Sequence, residues 1–118
     1  MIRDFDIYLT DLQYQDGSGS KIRPVIIIDN KTFSVDMITS NDIHPGTYFE
    51  IIDVDYAGLH KKSYINLTVQ SKLSEKDFKK YIGHLSNNDI KRFLSGKETY
   101  LVEGLNDDIS ELLELLNL

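Results

Sequence analysis

From Asp6 to Val69 the apolar residues come in short runs, and turn-forming residues interrupt every one of them. Asp6 to Leu12 (DIYLTDL) alternates polar with apolar, which places Ile7 and Leu9, with Asp11, on one side of a half-buried strand. The breaker cluster Asp16-Gly17-Ser18-Gly19-Ser20 then predicts a loop between two strands, and such a loop on a rigid scaffold is the first functional candidate. Val25 to Ile28 is a β-branched run that stops at Asp29-Asn30-Lys31, and Thr32 to Thr39 resumes strand composition, so the two read as a buried hairpin. Tyr48 to Val54 and Ser63 to Val69 are further short strands, set apart by His44-Pro45-Gly46 and Ala57-Gly58-Leu59. Strands of this length and spacing predict a small β barrel rather than a parallel sheet.

The second half reads differently. Ser74-x-x-Asp77 and Ser86-x-x-Asp89 have the spacing of capping boxes, each predicted to open a short helix, the second ending at Gly96. Asn106 is a third N-cap, followed by acids that suit the positive helix end and then by Ile109, Leu112, Leu113 and Leu116 at i, i+3, i+4 and i+7. A C-terminal amphipathic helix follows, its apolar stripe expected to pack on the barrel. Residues 1–97 therefore form the barrel domain and residues 98–118 an acidic helical extension of that domain.

With 118 residues, 41% of them hydrophobic, the chain can close one core. The absence of cysteine excludes disulfides, thiolate metal sites and cysteine nucleophiles, and fits a reducing compartment, so the cytoplasm is the expected location. Four apolar residues, Val25 to Ile28, are too few to span a bilayer, and Met1-Ile2-Arg3-Asp4 does not begin a signal peptide. The net charge of −6 is unevenly placed: residues 1–97 hold all 13 Lys and Arg against 13 acids, whereas residues 98–118 hold six acids and no base. Judged without its tail, the body is neutral, and Lys61-Lys62, Lys72, Lys76, Lys79-Lys80 and Lys91-Arg92 either build one basic face or are solvated lysines on separate surfaces.

Phosphate-loop, dinucleotide, zinc-protease and nucleophile-elbow motifs are all missing. His44, His60 and His84 are widely spaced, and a metal triad would need all three to converge. Arg23 is more informative, because it follows the glycine-rich loop and precedes Pro24 and the buried run, which suits either a phosphate clamp or an ordinary structural ion pair. Thr39-Ser40-Asn41, at the end of the returning strand, offers hydroxyls and an amide to phosphate oxygens, or is simply a turn.

Taken in order, the segments from Asp6 to Leu12, from Gly17 through Arg23-Pro24 to Ile27, Met37-Ile-Thr39-Ser40, Ala57-Gly58-Leu59, Ser63-Tyr-Ile and Tyr81-Ile-Gly83-His-Leu-Ser86 resemble MazF/PemK (Kid) toxins over about residues 4–95. The resemblance implies an SH3-like barrel with short helices, a two-fold homodimer, and a metal-independent, cofactor-free endoribonuclease that cleaves single-stranded RNA and is neutralised by a cognate antitoxin protein. By position, Arg23 and Thr39 match the family's catalytic pair, with Ser40 beside it, and residues 15–22 match a flap over the RNA, where Gln13, Gln15, Asp16, Ser18 and Lys21 would touch bases or phosphates. Three departures stand out: Phe5 replaces a usual glycine, Asn66 and Thr68 occupy positions where relatives carry a charged residue, and the acidic stretch after Gly96 exceeds the family's usual length.

The implied reaction is attack of a ribose 2′-hydroxyl on the adjacent phosphorus, leaving a 2′,3′-cyclic phosphate and a 5′-hydroxyl. It needs a cation against the phosphorane oxygens, a proton acceptor and a proton donor. Arg23 suits the first role, since a guanidinium stays protonated, and Thr39 would orient the phosphate; Asp16 is a candidate acceptor by residue type alone. Two alternatives differ in class: an inert RNA- or protein-binding relative, consistent with Asn66 and Thr68, and a gyrase-directed toxin of the same fold, which has no use for the Arg23/Thr39 pair. The acidic tail also has the composition of a lid over a basic RNA groove, and that reading, like packing on the barrel, requires a docked helix.

Overall fold

The computed structural model describes residues 1–13, 19–40 and 47–116. Six antiparallel strands form one sheet: β1 (Asp6–Gln13), β2 (Ser20–Asp29), β3 (Ser34–Thr39), β4 (Tyr48–Ile51), β5 (Ser63–Lys72) and β6 (Phe78–His84). Their order is β4-β5-β3-β2-β1-β6. The fold is the expected mainly β one with a C-terminal helix, but the ladder is open, with β4 and β6 at its two edges rather than hydrogen-bonded into a closed barrel.

β2 lies inside the sheet, and both of its faces are covered. Ile26 belongs to the larger core with Ile7, Ile38, Ile51, Ile65, Leu85 and Phe93, whereas Val25 and Ile27 pack with Val35 on the other face. This is why Val25 to Ile28 is continuously apolar instead of alternating. β1 is also used on both faces: Tyr8 stacks at 5.5 Å from Phe78 and 5.4 Å from Tyr81, and Thr10 is wholly buried, its hydroxyl donating to the Arg23 carbonyl at 3.2 Å. The half-buried strand expected there is therefore nearly a core strand.

Two helix expectations need correction. Ser74 opens only one 3-10 turn, Glu75–Asp77, and the chain then becomes β6, because pairing with β1 overrides the local helix signal. Ser86 does cap a helix, α1, but it runs unbroken over Asn87–Leu115, passing Gly96 and Asn106. Gly96 is not a left-handed terminator here; a Cβ on it would meet only the Phe49 ring, at 3.5 Å. The turn after it is held by the 2.7 Å ion pair between Lys97 Nζ and Asp36 Oδ2.

α1 is anchored at its start. The Ser86 hydroxyl accepts from Asp89 N and donates to Asp53 Oδ2 at 2.6 Å, while the buried Asp89 carboxylate accepts from Asp53 N at 2.8 Å and from Arg92 at 2.9 Å. Phe93 is fully buried, edge-on to Phe49 and Phe5. Phe5 itself has φ 68°, a left-handed conformation, which explains why a glycine suits this position; the ring offsets a strain of about 1 kcal/mol by packing on Phe93. The ring therefore sits at the helix anchor. Beyond Tyr100 every described residue of α1 whose side chain is placed is exposed, so Ile109, Leu112, Leu113 and Leu116 do not dock on the sheet, contrary to both readings of the tail.

Candidate active site

The β2–β3 ladder ends at Val25 opposite Met37, and one residue further stands Pro24, which has no N–H to continue it. Continuing the same register puts Arg23 opposite Thr39, at a point where the strands are no longer bonded to each other. Each is held from its other side, Arg23 against Thr10 of β1 and Thr39 against Tyr64 of β5. A cleft of about 270 Å³ opens here. Lys21, Arg23 and Pro24 line it from β2, Ile38, Thr39 and Ser40 from the end of β3, and Leu59, Lys61 and Ser63 from the segment leading into β5.

That last wall depends on backbone packing. Gly58 has φ 82°, and a Cβ there would lie 2.5 Å from the Ile82 carbonyl oxygen; a Cβ on Gly83 would lie 2.3 Å from the Ala57 carbonyl oxygen. The loop after β4 is thus clamped against β6, and this fixes where Leu59 and Lys61 emerge. Ser63 is buried, its hydroxyl donating to the Lys61 carbonyl at 2.9 Å.

The cleft carries three cations, Lys21, Arg23 and Lys61, and no carboxylate among its described lining residues. Its chemistry is that of an anion site: guanidinium and ammonium donors beside three hydroxyl side chains, Thr39, Ser40 and Ser63. The other lysines do not join it. Lys72, Lys76 and Lys79 line a separate hollow of about 670 Å³ together with Asp11 and Asp77. Arg92 is paired with Asp89 and lies over the Phe49 ring.

Of the predicted site residues, Arg23, Thr39, Ser40 and Lys21 converge in the cleft. Gln13 ends β1 opposite Ser20, while Gln15, Asp16 and Ser18 lie outside the described residues, as does His44. His60 and His84 do not converge: His60 is exposed, 3.7 Å from Asp55, and His84 Nδ1 is 2.7 Å from the buried Asp6 carboxylate. No group of metal-ligating side chains occurs among the described residues. Asn66 and Thr68 bond to each other on β5 and are not part of the cleft lining, so their lack of charge removes nothing from it. Lys61 and Ser63 were missed as site residues, although they flank the Ala57-Gly58-Leu59 signal in the sequence.

The open antiparallel sheet thus carries a cationic, hydroxyl-bearing cleft where two of its strands part. More particularly, the family model for PemK-like, MazF-like toxins of type II toxin-antitoxin systems matches residues 3–96, and the chain belongs to that family. No curated relative matches it by sequence. Among solved structures, "Endoribonuclease in complex with its cognate antitoxin from Mycobacterial species" is similar at a TM-score of 0.67 and 16% identity, over 86% of this chain and 95% of that one. "Endoribonuclease from Mycobacterial species" follows at 0.65 and 15%, over 85% and 90%. "Mycobacterium tuberculosis toxin MazF-mt6" follows at 0.61 and 17%, over 80% and 95%. Among the described residues no helix is long and apolar enough to cross a membrane.

Proposed function

We propose that this toxin is a metal-independent endoribonuclease of the cytoplasm that cleaves single-stranded RNA in the Arg23 cleft, works as a homodimer, and is held in check by a cognate antitoxin protein. The observation that carries this reading is the placement of Arg23 opposite Thr39 in a cleft whose described lining offers cations and hydroxyls but no carboxylate. The Arg23 guanidinium stabilises the charge that develops on the phosphorane oxygens as the 2′-oxygen attacks. The Thr39 hydroxyl orients the scissile phosphate, with Ser40 beside it, while Lys21 and Lys61 hold the flanking phosphates. The described lining residues include no carboxylate, and Asp16, a candidate acceptor by residue type, lies outside the described residues.

The test is incubation of the purified full chain with a long RNA in excess EDTA, followed by mapping of the new ends. Cuts that carry 5′-hydroxyls at a restricted set of sites are expected. Binding without cutting would instead identify the inert relative.

A further inference from the structure

α1 changes its apolar side part-way along. Up to Tyr100 the side that meets the sheet is the one carrying Asp89, Phe93 and Lys97. Counted at about 100° per residue, Gly104 and Glu111 continue that side within about 20° of Phe93, whereas Val102, Leu105, Ile109, Leu112 and Leu116 lie about 100–180° away. The sheet does not reach the helix there, since a Cβ on Gly104 would meet nothing within 4 Å. The second stripe is open to solvent, with Val102 50%, Leu105 58%, Ile109 48%, Leu112 55% and Leu116 57% exposed. A helix that stays straight carries this stripe away from its own sheet, so whatever covers it approaches from the opposite side.

The spacing of the stripe identifies the occupant. Residues 102, 105, 109, 112 and 116 recur at 3, 4, 3 and 4, the a/d pattern of a heptad repeat, whose a positions are Val102, Ile109 and Leu116 and whose d positions are Leu105 and Leu112. Two of the three a residues, Val102 and Ile109, are β-branched and both d residues are leucine, a combination that favours two parallel strands. The charges agree. Glu103, Glu111 and Glu114 fall at b, c and f, on the outside, and of the flanking e and g positions, Asn106, Asp108, Leu113 and Leu115, only one is charged. In a parallel pair Asp108 would face Leu113 of the other copy, so two identical helices meet with no acid opposed to an acid across the seam, despite the net charge of the segment. The family match ends at residue 96, so this segment is an addition to the toxin fold.

We propose that residues 102–116 pair with the same residues of a second copy of this chain as a short parallel coiled coil. The seam is about 22 Å long and turns the exposed stripe into an interface that the acids flank and solubilise. It does not rest on the RNA-cleavage reading, and it differs from an interface made by the sheets.

The chain has no cysteine, so one introduced thiol reports a single contact. Leu112→Cys sits at a d position and Glu114→Cys on the outer surface; both replace exposed residues. In a parallel pair the two copies of residue 112 face each other within the about 4.4–6.8 Å Cα separation a disulfide spans, so mild oxidation at micromolar chain should give covalent dimer about tenfold faster in Leu112→Cys than in Glu114→Cys. Adding Leu105→Lys to the Leu112→Cys chain should remove that advantage while circular dichroism stays that of the parent. Equal rates for the two thiols, or no covalent dimer from Leu112→Cys, would overturn the proposal and point to an antiparallel arrangement or another occupant. RNA cleavage measured on the same samples is an independent readout, so the two readings fail separately.

Discussion

Two depressions on this protein each hold three cations, and they differ in what accompanies them. The cleft at the end of β2 and β3 has Lys21, Arg23 and Lys61 with Thr39, Ser40 and Ser63, and no carboxylate among its described residues. The larger hollow has Lys72, Lys76 and Lys79 beside Asp11 and Asp77, so much of its charge is already met. Volume would favour the hollow; charge balance favours the cleft. Cations that meet no carboxylate among the described lining residues are the ones available to a ligand, and the Arg23 guanidinium stands at the mouth of a ladder interrupted by proline.

The comparison can be broken most sharply at Arg23, where Arg23→Ala should lower RNA cleavage about 100–1,000-fold, equivalent to about 2.7–4 kcal/mol of barrier, with an unchanged melting curve. Next in size is the case of a cation fully consumed by a carboxylate. Lys97 holds the buried Asp36, whose second oxygen has no partner among the described residues, so Lys97→Met should destabilise the fold by about 1–3 kcal/mol in urea titrations at neutral pH. Burial pushes the Asp36 carboxyl above its usual range, an effect that Lys97 opposes. The folded chain therefore binds this proton at higher pH than the unfolded chain does, and stability is gained as pH falls through that window. Losing Lys97 raises the carboxyl further, so the gap between parent and variant should narrow as the pH is lowered from 7 toward 4.

Gly58→Ala tests the wall that carries Lys61: a φ of 82° and a 2.5 Å approach to the Ile82 carbonyl should cost about 1–2 kcal/mol of stability and lower cleavage as well. Lys61→Ala should be milder, weakening RNA binding by less than about 1 kcal/mol and reducing the salt dependence by about one phosphate contact, as read from binding isotherms at several salt concentrations. Lys76→Ala, in the hollow, should leave stability within about 0.5 kcal/mol of the parent and cleavage unchanged.

Most of the sheet was legible because its strands are bounded by strong turn signals and carry β-branched runs, whereas the pairing of Arg23 with Thr39 came from the resemblance to the toxin family, since their places in the sequence left a structural role equally open. β6 was not, since Ser74-x-x-Asp77 is a valid local cap and only long-range pairing with β1 turns the following residues into strand. The unbroken α1 was missed for a similar reason: Gly96 reads as a terminator, yet packing by Phe93 and the Lys97–Asp36 ion pair carries the helix through it. Lys61 entered the cleft through the close approach of Ala57-Gly58 to β6, a backbone contact that no spacing of side chains reveals.

The central claim is that the cationic Arg23 cleft is where RNA is cut. Its most direct test is to follow one long RNA in EDTA with the parent chain, Arg23→Ala and Lys76→Ala side by side, each shown to be folded by circular dichroism. The prediction is 5′-hydroxyl ends from the parent and from Lys76→Ala at similar rates, and a loss of about 100-fold or more with Arg23→Ala. Cleavage by folded Arg23→Ala at the parent rate, or an equal loss in both variants, would contradict it.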